Sequence, residues 1–146
     1  MASPNDREAL AAELDRHVTE EGEILQEYRR FSDKLEDGPL SVLVDHITTE
    51  EEMHHFLFRT LSDWLKAPPA PSASLAAQGL DRDEILRHTR ALQEHEQETV
   101  EACRDLKSRL AGDDRELFEA LLDAIALDSE KHHRLLSAVA SLARLA

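Results

Sequence analysis

The sequence predicts an all-α protein: a four-helix bundle with one long crossover between helices two and three. Three observations carry that prediction. Aromatics make up only 4% of the 146 residues, and Gly and Pro number four and five, so chain breaks are confined to a few places. A chain otherwise rich in Leu, Ala, Glu and Arg favours helices over strands. Apolar residues recur at three- and four-residue steps through four long stretches, the period of one helix face turned towards a core. The connections between those stretches run short, long, short, which suits a bundle with a single crossover.

The first helix is expected over residues 4–35, with Ser3 as N-cap and Pro4 at the first helical position, where its missing N–H costs nothing. Its inward stripe reads Leu14, His17, Val18, Glu21, Ile24, Leu25, Tyr28, Phe31, Leu35. Glu21 interrupts the stripe at its centre, and Gly22 weakens the helix beside it for no reason visible in the sequence. Glu36-Asp37-Gly38-Pro39 is a break tight enough to demand an antiparallel hairpin.

The second helix, residues 39–66, carries Leu40, Leu43, Val44 and Ile47 before Glu50-Glu51-Glu52-Met53-His54-His55, and Leu57, Phe58, Leu61 and Leu65 after it. Continued through the middle, its stripe lands on Glu50, Glu51 and His54, charged groups that are costly to bury unless paired or bound to a metal. The third helix is expected over residues 81–110, with Asp81 as N-cap, Glu84 in capping-box spacing and Glu96 as the lone acid in its stripe. Ala111-Gly112-Asp113-Asp114 is a second tight break. The fourth helix, residues 113–145, is read as capped by Asp113, and its stripe passes through Ile125, Asp128, Ser129, His132, Leu135 and Val139.

The halves match: Glu21 aligns with Glu96, Ile47 with Ile125, His54 with His132 and Leu57 with Leu135. One domain over residues 1–146, made of two hairpins related by internal duplication, is the expectation. The proline-rich stretch from Ala67 to Leu80 reaches about 46 Å when extended, and a helix of about 28 residues is about 42 Å long. The linker therefore suffices to cross the length of a bundle.

A net charge of −14 argues against a nucleic-acid partner. The single cysteine, Cys103, excludes a disulfide framework and a thiolate zinc site, and its apolar neighbours make it a buried filler. No apolar run approaches the roughly 20 residues of a membrane span, and the first residues lack a signal core, so a cytoplasmic protein without a membrane partner is expected.

Taken singly, an inward glutamate or histidine is ordinary. Together, acids and imidazoles interrupt all four stripes at matching heights. Glu21 and Glu96 project from one helix of each hairpin, while the other helices bring Glu51 with His54 and Asp128 with His132. Two carboxylates plus two carboxylate–histidine pairs is the ligand set of a dinuclear iron site, with manganese as an alternative. Four carboxylates neutralise two divalent cations, and imidazoles complete the coordination. His17 and His95, next to the glutamates, are candidates for extra ligands or for groups that support the ligands; His46 and His88 read as surface or peripheral.

On Glu21, Glu51-x-x-His54, Glu96 and the helix order, the chain resembles the ferritin-like superfamily of ferritins and rubrerythrins. The resemblance covers almost the whole length. It implies Fe(II) binding and oxidation by oxygen or peroxide, as a ferroxidase or a peroxidase. Tyr28 resembles the tyrosine that many ferritins place beside their iron-oxidation centre, so its implied role is catalytic, as a hydrogen-bond donor or redox group. One position departs: the pattern wants Glu at 129, and this chain has Ser129. Asp128 with His132 is the preferred substitute pair; Glu130 with His133, matched by Glu52 with His55, is the alternative, on stripes that read as solvated. A shorter carboxylate weakens the second metal.

Two other readings stay open. His46-x-x-x-Glu50 matches a helix motif of hemerythrin-like oxygen-binding or sensing bundles, although helix four lacks the expected His followed by Asp. In a metal-free helical interaction module, the acids and imidazoles would pair among themselves. A lateral stripe of Val42, Met53, Phe56 and Thr60 fits either a homo-oligomer contact or packing on a neighbouring helix.

Overall fold

The computed structural model describes residues 4–68, 79 and 81–145. The chain is all-helical among them, with four helices: α1 Pro4–Asp33, α2 Pro39–Lys66, α3 Arg82–Ser108 and α4 Arg115–Leu145. It divides into two compact units, Met1–Ala70 and Pro71–Ala146, each an antiparallel helical hairpin. Ser3 and most of the proline-rich crossover lie outside the described residues.

In the first hairpin, the α1 ladder gives way at its end to tighter bonds, Lys34 N–H to the Phe31 carbonyl and Leu35 N–H to the Ser32 carbonyl, at 3.1 and 3.0 Å. The α-helix therefore stops at Asp33, two residues short of the expected Leu35, because its last orphan carbonyls are taken by i→i−3 turns. At the start of α2, Ser41 closes a reciprocal cap: Gly38 N–H donates to Ser41 Oγ at 3.0 Å, and that hydroxyl donates to the Gly38 carbonyl at 2.8 Å. Pro39 follows at the position where it costs nothing.

Polar ties at both ends fix the antiparallel register. Asp15 of α1 accepts from Ser62 and Lys66 of α2, while Arg29 donates to Glu52 and Ser32 to Asp45 near the turn. The buried side chains of this hairpin are Ala11, Leu25, Val44 and the fully enclosed Ser62. Small side chains at the contact let the two backbones approach.

The second hairpin repeats the plan. Asp81 caps α3 as expected, accepting the Asp83 N–H at 3.0 Å. Gly112, at φ +104°, takes the left-handed backbone that makes the α3–α4 turn possible. α4 begins at Arg115, so Asp113 lies in the turn ahead of the helix rather than at its cap. Lys107 binds both oxygens of Asp123, and Gln93 donates to Ser137 and to the His133 carbonyl. Thr89, Val100, Cys103, Ser129, Ala140 and Ala143 are buried, so Cys103 is the core filler its neighbours suggested.

The hairpin contacts ride on the stripes beside the most apolar ones. Glu52, on a stripe read from sequence as solvated, carries an interhelix hydrogen bond, and so do Asp45 and Ser137. Ile47, Leu57, Ile125 and Leu135, expected at the centre of the core, remain between 40% and 59% exposed. Within each hairpin, the side of contact is lined by small and polar residues.

Candidate metal centre

Glu21 sits one turn before the buried Leu25 on α1, and Glu51 three residues before His54 on α2. The register set by Asp15 and Arg29 brings the three together. One donor atom from each lies within 4.8 Å of the other two. His54 Nδ1 stands 3.7 Å from Glu51 Oε2, and the Glu51 side chain is only 19% exposed. Two ligands at ~2.1 Å from one small cation are separated by at most ~4.2 Å, so these three residues could reach one ion with a small side-chain adjustment.

The electrostatics of the group are those of a site short of positive charge. The hydrogen bond Glu21 shares with Glu51, followed by burial, pushes the Glu21 carboxyl above its ordinary value, while His54 and His17 pull weakly the other way. The second Glu21 oxygen, Oε2, is buried without a hydrogen-bond partner. A buried carboxylate oxygen facing another carboxylate is unfavourable unless a proton or a cation joins them. Two carboxylate oxygens and an imidazole nitrogen also form a donor set suited to first-row divalent metals.

Gly22 lies beside His55. A Cβ there would lie 3.4 Å from His55 Cε1, so the bare backbone of α1 is what the His55 ring lies against. The Nδ1 of His55 is likewise buried without a partner. The sequence signal was a glycine in mid-helix next to an inward acid. The reading of His55 as solvated overlooked it.

His17 stacks on Phe58, with ring centroids 5.4 Å apart, and its Nδ1 lies 3.6 Å from Glu20. It is a packed neighbour of the acidic group. Tyr28, two turns beyond Glu21, is half-buried and lines a groove of about 440 Å³ with Ile24 and Phe31.

In the second hairpin, Glu96 of α3 meets His132 of α4, Oε1 to Nδ1, at 3.4 Å. Asp128 is outside that pair, and its Oδ1 accepts from Lys131 Nζ at 3.0 Å. Ser129, three residues before His132, is only 5% exposed. Glu130 and His133 line a cavity of about 160 Å³ with Glu96 and Ser129. His95 and His88 are exposed, and His88 stands 3.7 Å from Glu84 on its own helix.

Among the described residues, no helix is long and apolar enough to cross a membrane. No protein-family model, curated protein or solved structure matches the chain.

Proposed function

We infer that the chain is an iron-handling protein of the ferritin-like kind, acting in the cytoplasm as a single bundle with a crossover, whose substrate is Fe(II) and whose oxidant is oxygen or peroxide. The observation that carries the reading is the convergence of Glu21, Glu51 and His54 from two helices, with a buried, unpartnered oxygen on Glu21. Bound at these donors, iron would supply one-electron redox chemistry. The two carboxylates provide the charge that holds a divalent ion, and His54 adds a neutral nitrogen. Glu96 and His132, with Asp128 nearby, are the residues that would hold a second, weaker ion, and manganese fits the same donors.

The experiment is aerobic oxidation of Fe(II) by the purified chain, followed by Fe(III) absorbance. Wild type should oxidise Fe(II) well above the protein-free rate, and Glu51→Ala should fall to that rate. Equal rates for both proteins would remove the oxidase reading.

A metal-free interaction module remains the second reading, favoured by the direct Glu96–His132 contact, in which acid and imidazole already satisfy each other. Its signature is a melting temperature that ignores added divalent metal.

A further inference from the structure

The geometry points to the second hairpin as a copy of the Glu21–Glu51–His54 group from which one carboxylate has been removed, with Ser129 the residue that limits the chain to one firmly held divalent cation. This rests on the metal-binding reading of the first hairpin.

The two hairpins present the same parts. In each, a glutamate on the first helix reaches a histidine on the second: Glu21 groups with His54, and Glu96 contacts His132 at 3.4 Å. The two imidazoles are equally exposed, 49% for His54 and 50% for His132. The position three residues before the histidine holds Glu51 in one hairpin and Ser129 in the other. Ser129 is buried one turn before His132 on α4, the position that Glu51 holds relative to His54 on α2.

The substitution changes both charge and ligand. A hydroxyl keeps its proton at neutral pH and is a weak donor to a divalent ion, whereas a carboxylate brings a full negative charge. The second hairpin is left with one carboxylate and one imidazole, already in contact with each other. Asp128 is a poor replacement because its Oδ1 is bound by the Lys131 ammonium, a charge that repels an incoming cation. Site affinity in oxygen-ligand sites follows ligand charge count. The second site should therefore bind at least about tenfold more weakly than the first.

Ser129 lines a cavity of about 160 Å³ with Glu96, Glu130, His133 and Arg134, which leaves room for a longer side chain at 129 beside Glu96. Restoring the missing ligand should therefore restore the site.

The test is Co(II) titration of the metal-free full chain, counting bound ions by dialysis and following the visible spectrum. Wild type should bind one ion tightly, Ser129→Glu two, and Glu51→Ser none. Ser129→Cys is nearly isosteric, so it keeps the test decisive if the glutamate variant does not fold. It should bind a second Co(II) with a sulfur-to-metal charge-transfer band absent from wild type, whose own thiol, Cys103, is buried in the core. One ion in wild type and still one in both Ser129 variants would overturn the inference while leaving the first site standing. Two equally tight ions in wild type would also overturn it. No tight ion in wild type would overturn the metal reading itself.

Discussion

Glu21 and Glu51, from opposite helices of the first hairpin, share a hydrogen bond that holds the Glu21 carboxyl above its ordinary value. Two carboxyl groups in contact share a proton or accept a cation, and the choice between them depends on pH and on metal supply. The centre is therefore a place where folding, protonation and ion binding are linked.

That linkage fixes the sign of a pH dependence. Because the folded-state value of Glu21 is raised, its contribution to stability is fully present below the ordinary glutamate value of 4.5 and is lost as pH rises through the folded value. Asp15 behaves oppositely. Its hydrogen bonds with Lys66 and Ser62 lower its value, so its contribution is present above 3.8 and is lost as pH falls through the folded value. Thermal melts of metal-free protein from acid to neutral pH should show both slopes. Asp15→Asn should flatten the acid limb. Glu21→Gln should flatten the higher one and raise the neutral-pH melting temperature by about 1–3 °C, a small gain because solvent screens the site.

Gly22 offers a steric check of the α1–α2 contact. An alanine methyl would meet His55 at ordinary contact distance, 3.4 Å. Gly22→Ala should therefore keep most of the helix-propensity gain and stabilise by about 0.5 kcal/mol. Gly22→Leu should displace His55 and cost about 1–3 kcal/mol. Denaturant melts of the two variants measure both, and a stabilising leucine would mean that His55 does not lie against α1.

A redox or hydrogen-bonding role proposed for Tyr28 is separable from ion binding because the residue lies two turns from Glu21. Tyr28→Phe should slow Fe(II) oxidation severalfold while leaving the bound-ion count unchanged. Stopped-flow oxidation alongside anaerobic titration distinguishes the two effects, and an unchanged rate would make Tyr28 merely a wall of its groove.

The helices were legible almost to the residue, because their breaks are marked by Gly and Pro and Asp81 does cap α3. The grouping of Glu21 with Glu51 and His54 was legible too, since two inward acids and an imidazole interrupt strong stripes. The face each hairpin uses for its own contact was not. Ala11, Gly22 and Ser62 contribute little hydrophobic signal, and the Arg29–Glu52 and Gln93–Ser137 hydrogen bonds join polar residues that carry none. Periodicity ranks apolar residues; it is silent on small residues that admit a neighbouring backbone. The position of His55 needed the structure for the same reason: its partner is a glycine.

The most direct measurement of the central claim is anaerobic Fe(II) titration of the metal-free chain beside Glu51→Ala, with bound iron counted per chain. Saturable uptake in wild type that is lost in the folded Glu51→Ala variant is the predicted result. Wild type that takes up no iron saturably, or Glu51→Ala that binds as wild type does, would contradict the assignment of Glu21, Glu51 and His54 as an iron site.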